Sequence, residues 1–388
     1  MQRDTGHFVN SIADGVRVRA FVPDPLPPHP PLQLSPADLD LLERANRALG
    51  RLDGITELIP DKALFIYFYV AKEALLSSQI EGTQSSMQEL LLFDVNAETE
   101  TAQTDDVREV SNYIRALNHG AEQLREESLP ISNRFIRDAH RILLTSGRGS
   151  SRAPGQFRRT QNWLGGTSPR SATFIPAPPE VLEDGMADLE RFLHDEGMPV
   201  LIRVALAHAQ FETLHPFLDG NGRVGRLMIT LSLCAERVLS QPLLYLSLFF
   251  KTNRDEYYDR LQAVRTEGDW EGWLRFFLEG VRDTAGQAVM TARRLVELFE
   301  SDRRRIQQEL GQSASSALRV HEYLQRHPIV RTPQIRPHLG LSAPTIDRAL
   351  QRMETLEIVR EVSGRKRGRQ YAYTGCLAIV GEGTEPLG

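Results

Sequence analysis

The 388-residue sequence predicts a mainly α-helical protein, with one β-hairpin in its middle and a winged helix-turn-helix unit at its C-terminal end. Three observations carry that prediction. Apolar residues recur at helical spacing through 35–50, 61–81, 107–144 and 204–310. The period vanishes between Ser146 and Pro179, where Gly, Ser, Pro and Arg dominate. After Ser313 the order is helix, helix-turn-helix and two strand-like runs around a basic turn. The resulting division is 1–105, 106–310 and 311–388.

Composition sets the outer limits. With 41% hydrophobic and 25% charged residues the chain reads as soluble and globular, long enough for two or three units. Forty-six basic against 51 acidic residues leave a net charge of −5, which argues against nucleic acid or an anionic membrane as the main partner; a local basic patch stays open. Cys234 and Cys376 are the only cysteines, so no disulfide framework or cysteine metal site is expected, and a reducing cytoplasm fits. Met1 to Val22 lacks a signal-peptide pattern, and apolar runs such as Leu243 to Phe250 fall short of the roughly 20 residues of a membrane span, so no membrane partner is expected.

In the N-terminal third, Pro23 to Pro31 reads as an extended lead-in, a linker in preference to a ligand for another domain. Ser35, Pro36 and Asp38 supply a cap, a first-turn proline and a first-turn acid for a helix with Leu39, Leu42, Ala45 and Leu49 on one face and Gly50 as its stop. Asp61 to Glu81 is a second helix with Gly82 as its terminal glycine. Asp94 to Asp106 reads as an exposed acidic connector.

Val107 to Leu124 and Ser132 to Leu144 are the next helices, the latter capped by Ser132. Short apolar bursts either side of Gly165-Gly166 and Pro169 predict the hairpin. Arg148, Arg152, Arg158, Arg159 and Arg170 read as a solvated surface rather than a nucleic-acid groove. Beyond 204 the expected helices are one ending at His215, one opening near Arg223, then Lys251 to Arg265, Asp269 to Gly280 and Thr284 to Leu310.

In the last unit, Ser313 to Gln325, Thr332 to Leu339 and Ser342 to Leu356 are helical, and Ile358 to Val362 and Gln370 to Tyr373 flank a basic turn. Thr345, Arg348, Arg352, Arg365, Lys366, Arg367 and Arg369 would face DNA if the unit reads it. Asp347, Glu354 and Glu357 on the same helix weaken that reading and favour a protein partner.

Chemistry concentrates in His215 to Arg226, His-Pro-Phe-Leu-Asp-Gly-Asn-Gly-Arg-Val-Gly-Arg. Pro216 ends the preceding helix and leaves His215 at its rim. Gly220 and Gly222 lie in a helix-entry loop whose free amides suit an anion, phosphate above all. Arg223 and Arg226 share a face near the helix's positive end, a costly pairing unless an anion lies between them. Asp219 beside an anion site makes sense as a Mg²⁺ ligand. His215 can take a proton from an incoming nucleophile, worth roughly 10²- to 10⁴-fold in rate. Phe217 reads as an apolar anchor.

This stretch resembles, at every fixed position, the Fic (filamentation induced by cAMP) signature His-Pro-Phe-x-Asp/Glu-Gly-Asn-Gly-Arg-x-x-Arg. The resemblance implies a Fic helical core that transfers AMP from ATP and Mg²⁺ to a hydroxyl of a target protein, its own included. It makes His215 the base, Asp219 the metal ligand, Asn221 with the amides of Gly220 and Gly222 the phosphate cradle, and Arg226 the γ-phosphate clamp. Arg223, Val224 and Gly225 complete the nucleotide-binding segment. Ser77, Glu81 and Gly82 resemble the inhibitory Ser/Thr-x-x-x-Glu-Gly motif of one class of these enzymes. A carboxylate at Glu81 paired with Arg226 would occupy the guanidinium that must hold the γ-phosphate. Phe174-Ile175-Pro176-Ala177-Pro178-Pro179 resembles the end of the family's flap, with Ala177 where a proline is common; it places Ser171, Ala172, Thr173 and Phe174 over the nucleotide and implies backbone pairing with an extended target. Tyr257 and Tyr258 resemble a pair near the nucleotide base, and a homodimer is one assembly the family implies. AMP removal, another donor, and a nucleotide-sensing DNA regulator remain open alternatives.

Overall fold

The structure is a computed structural model that describes residues 3–58, 62–96, 104–127, 130–365 and 368–386. It opens with a hairpin that adds to the expected elements. Strands β1 (Gly6–Ala13) and β2 (Val16–Pro23) pair antiparallel from Gly6↔Pro23 to Ala13↔Val16. Asp14 at φ 47° and Gly15 at φ 75° make the two-residue turn. Asp-Gly favours that geometry because both central residues need positive φ.

Helix α1 (Pro36–Leu58) begins as expected: Ser35 N donates to Asp38 Oδ2 at 2.8 Å and Asp38 N to Ser35 Oγ at 3.2 Å. It does not stop at Gly50. Leu41, Ala45, Ala48, Leu49, Leu52 and Ile55 form one buried stripe against the later helix α11 (Trp270–Glu309). That packing outweighs the roughly 1 kcal/mol that glycine costs a helix interior. α2 (Lys62–Ile80) ends before Gly82 at φ 97°, and α3 (Met87–Asn96) follows. Residues 97–103 of the expected connector lie outside the described residues. α4 (Asp105–Glu122) is capped by Thr104, and α5 (Asn133–Leu143) by Ser132, whose Oγ accepts from Phe135 N at 3.3 Å.

The expected central hairpin is corrected. Between α5 and α6 (Pro179–Leu193), among the described residues, one antiparallel bridge forms, Leu164↔Phe174. Gly165 and Gly166 take positive φ beside it and Pro169 has no amide to donate, so no ladder grows. The segment is pinned from outside instead: Phe21 N donates to Ile175 O at 2.9 Å. The guanidinium of Arg158 donates to the carbonyls of Thr160, Ala177, Leu214 and His215. Arg158, expected in solvent, is 3% exposed.

At the centre lie α7 (Val200–Leu214) and α8 (Asn221–Ala235), buried along nearly their whole lengths. Trp273 of α11 donates its indole N–H to Ala205 O at 2.8 Å. The helix expected at 251–265 is interrupted at Asn253, giving α9 (Ser247–Thr252) and α10 (Arg254–Glu267). The two expected beyond 269 are the single 40-residue α11. Gly280 does not stop it; a Cβ there would stand 2.7 Å from Phe249 Cδ1, so the glycine permits a close approach.

The C-terminal unit comprises α12 (Ala314–Arg326), β3 (Ile329–Arg331), α13 (Thr332–Leu339), α14 (Ala343–Thr355), β4 (Arg360–Glu361) and β5 (Gln370–Ala372). Its strands form an antiparallel sheet in the order β3-β5-β4. Lys366 and Arg367 lie outside the described residues. An unexpected α15 (Thr374–Gly381) then returns to α11, α2 and α3. Among the described residues no helix is long and apolar enough to cross a membrane.

Candidate active site

His215 occupies the C-terminal cap of α7 in the left-handed region, φ 49° and ψ 61°. A non-glycine residue there is strained. It is held by a bond from its own N to Phe211 O at 2.9 Å and by Arg158, whose Nε donates to His215 O at 3.0 Å. The loop to α8 is closed by Asn221, which accepts from Phe217 N through Oδ1 and donates to Phe217 O through Nδ2, both at 2.8 Å. Asn221, expected in the phosphate cradle, thus spends its side chain on the loop. Phe217 is fully buried, stacked 3.7 Å from the ring of His140.

His140 was not anticipated. Its Nδ1 accepts from Gly155 N at 2.8 Å, so its Nε2 carries the proton and donates to Asp219 O at 3.0 Å. Burial pushes its pKa down to about 4, which keeps that tautomer neutral. No nearby motif marks His140 in the sequence.

The two arginines are brought together, and both are already paired. Arg226 is 2% exposed; its Nη2 donates to Glu81 Oε1 at 2.7 Å and to Ser77 O at 2.9 Å, and its Nε to Ser77 Oγ at 2.8 Å. Burial works against the Glu81 carboxylate, yet Arg226, Arg223 and Arg254 hold its pKa below the ordinary value. Arg223 Nη1 donates to Glu109 Oε2 at 3.2 Å and its Nη2 to Asp219 Oδ1 at 3.5 Å. Glu109 of α4, buried and missed by sequence reasoning, also accepts from Arg148 Nε at 2.7 Å. Gly222 lies against the Glu81 carboxylate: a Cβ there would stand 2.2 Å from Glu81 Oε1. Val224 and Gly225 are buried in the first turns of α8.

Asp219 is 40% exposed, and its Oδ1 also accepts from Gly220 N at 2.6 Å. Among the described residues no three His, Cys, Asp or Glu side chains gather as a metal cage. A Mg²⁺ that shares phosphate oxygens and keeps its waters needs only one or two carboxylates. Asp219 fits that demand.

The bridged segment reaches the site through Phe174, buried under the guanidinium of Arg265 at 4.2 Å. Arg265 in turn donates to Thr213 Oγ1 and to Glu212 O beside His215. Ser171 and Thr173 are exposed and Ala172 half-buried. Tyr257 is buried with its hydroxyl 2.9 Å from His208 Nε2, whereas Tyr258 is 41% exposed with Arg254 over its ring. Burial, with Arg265 and Arg158 adding to it, pushes the His215 pKa down to about 3, so the imidazole is neutral at neutral pH. The site therefore offers a neutral imidazole, an exposed carboxylate and a helix N-terminus with two guanidiniums, each paired with an acid.

Residues 39–122 match the Fic/DOC family N-terminal segment, and residues 130–233 the Fic/DOC family segment. Protein adenylyltransferase Fic of Culex quinquefasciatus is 30% identical over 204 residues, 52% of this chain and 38% of that protein. Protein adenylyltransferase fic-1 of Caenorhabditis briggsae is 32% identical over 156 residues, 39% of this chain and 28% of that protein. The chain thus spans less than half the length of these curated relatives. A Fic family protein from Desulfovibrio desulfuricans G20 superposes with a TM-score of 0.57 at 21% identity, covering 89% of this chain and 98% of the other. Fic-1 (aa134–508) from C. elegans gives 0.51 at 22%, covering 66% and 72%. These two likenesses establish a shared fold. Residues 39–122 and 130–233 are thus similar to the two segments of the Fic/DOC family.

Proposed function

We propose that the protein is an autoinhibited adenylyltransferase that moves AMP from Mg·ATP onto a Ser, Thr or Tyr hydroxyl of a target protein and of itself. The observation that carries this reading is the 2.7 Å pair between Arg226 and Glu81 at the entrance of the glycine loop. His215 takes the hydroxyl proton, the freed oxygen bonds to the α-phosphorus, and the bond to pyrophosphate breaks. The first-turn amides of α8 and Arg223 hold the phosphates, and Arg226, once released by Glu81, holds the terminal one. Asp219 would hold Mg²⁺, which supplies charge neutralisation to the phosphate oxygens.

The relatives named protein adenylyltransferases support the AMP-transfer half of the reading. Its test is label incorporation from α- against γ-labelled ATP by Glu81→Gly protein, with His215→Ala in the same background. Label from α alone, lost with His215→Ala, is expected. Label from γ alone would mean phosphorylation, and nucleotide binding without any label would favour a sensor.

For residues 311–388 the proposal is a winged helix that recruits a protein partner. Exposed Arg348 and Arg352 on α14 are interleaved with exposed Asp347 and with Glu354, a mixed face poorly suited to phosphates. Duplex DNA titrated at physiological salt should leave fluorescence anisotropy unchanged; a salt-dependent rise would reassign the unit to DNA.

A further inference from the structure

Glu212 precedes His215 by less than one turn of α7 and is buried beside it. Its Oε2 stands 4.0 Å from His215 Nδ1. Glu212 Oε1 and His215 Nδ1 are both buried with no hydrogen-bond partner. Buried polar atoms are nearly always satisfied, so two orphans beside the base call for a reason. Space for this carboxyl is left by Gly225, where a Cβ would stand 2.5 Å from Glu212 Oε1.

Charges approach the pair from every side. Arg226 of α8, Glu81 after α2 and Arg265 of α10 act on Glu212, as do Tyr257 and Tyr258 of α10. Arg265 and Arg158 act on His215. The backbone carbonyl of Glu212 also faces the imidazole and shares its lone pairs with Arg265 Nη2 at 3.0 Å. The carboxyl is the second acceptor beside Nδ1, and its Oε1 has no other partner.

We propose, on the adenylyl-transfer reading above, that Glu212 is the positioning residue of His215. Its carboxylate accepts a hydrogen bond from Nδ1–H, which leaves Nε2 bare toward the target hydroxyl. When Nε2 takes the hydroxyl proton and the hydroxyl oxygen bonds to the α-phosphorus, the bond to pyrophosphate breaks and the same carboxylate stabilises the imidazolium. The present 4.0 Å separation closes on substrate binding, as catalytic hydrogen bonds commonly tighten in the Michaelis complex. Burial raises the Glu212 pKa to about 7, so the ionised partner forms as pH rises through that value while His215 stays neutral.

The test uses the full chain carrying Glu81→Gly, with ¹⁵N-labelled histidine and His215→Ala to assign the His215 signals. The ring-nitrogen shifts of His215 should follow a titration whose midpoint lies above the ordinary carboxylate range, because burial of Glu212 persists in this variant. They should stay flat after Glu212→Gln. In labelled-ATP assays Glu212→Gln should lower kcat about tenfold or more, leave KM for ATP within about twofold, and flatten the rise of kcat with pH. Glu212→Asp, which keeps the charge on a shorter stem, should retain the titration with an intermediate kcat; it carries the test alone if Glu212→Gln does not fold. His215 shifts and pH profiles unchanged by Glu212→Gln, or a Glu212→Asp protein without the titration, would overturn the proposal. A Glu212-dependent titration in a protein that never transfers AMP would uphold the pair and count against adenylyl transfer instead.

Discussion

Arg226 and Glu81 meet at 2.7 Å although 145 residues separate them, and Ser77, one helical turn before Glu81, takes the other edge of the same guanidinium. The fork that would grip a terminal phosphate is thereby spent on α2 and its end. Replacing the carboxylate should free it. Glu81→Gly is expected to bind ATP about tenfold more tightly or better, the change that ~1.4 kcal/mol makes. Ser77→Ala should have the smaller effect, because the ion pair survives it. Calorimetric titration with ATP checks this; equal affinities for wild type and Glu81→Gly would sink the brake.

Glu109 has the opposite character, since it supports the site rather than blocking it. It is buried with Arg223, each side chain 2–3% exposed, and it anchors Arg148 as well. Removing one partner of a buried pair leaves an uncompensated charge, at a cost of about 3–5 kcal/mol. Glu109→Ala should therefore lower the melting temperature sharply, and Glu109→Gln less so. An unchanged Glu109→Ala melting curve would show that Arg223 finds solvent or Asp219 instead.

The site's chemical residues were legible because they are contiguous: His215, Asp219, Arg223 and Arg226 lie within one loop and its helix. Ser77 and Glu81 were legible only as a short motif far upstream. What stayed hidden were Glu109 and His140, partners set by tertiary packing alone, and Glu212, whose i,i+3 place before His215 on one helix was readable in the sequence. The fold shows the same divide. Caps at Ser35 and Ser132 act locally and fall where the sequence puts them. Gly50 and Gly280 look like stops, yet packing against α11 and Phe249 carries both helices through. Asp14-Gly15 is a turn signal legible in the sequence itself, whereas the expected central hairpin comes down, among the described residues, to the single bridge Leu164↔Phe174.

The chain's end is tied to the segment bearing Glu81. Lys251 donates to Gln79 Oε1 at 2.7 Å and to the carbonyls of Gly383 and Glu385, while Gln79 Nε2 donates to Thr384 O at 2.8 Å. Gln79 lies two residues before Glu81. Lys251→Met should leave these acceptors without their donor, at about 1–3 kcal/mol. Faster hydrogen exchange is expected in both 382–386 and 78–82. Acceleration of the tail alone would mean that Gln79 holds its place without it.

Acid should destabilise this protein earlier than its carboxylates alone would. Burial pushes His208 and His215 down to about 3, and His140 and His321 to about 4, from 6.5. The unfolded chain thus binds more protons than the folded one below about pH 6.5, and stability falls with pH. Glu73 and Glu212 act oppositely: burial raises both from 4.5 to about 7, so their contribution is complete below 4.5 and is lost as pH rises through 7. Between 4.5 and 6.5 four histidines oppose two glutamates, and the histidines prevail. The histidines still outweigh the glutamates at pH 6.5 and the two sets balance near pH 7, which places the stability maximum there. Melting temperatures measured from pH 4.5 to 8 should trace that curve. Glu73→Gln, which mimics the protonated side chain, should steepen the rise of stability between pH 4.5 and 7, because one of the two opposing glutamates is gone. A melting temperature that holds or rises as pH drops from 6.5 to 4.5 would contradict the assignment of neutral buried histidines.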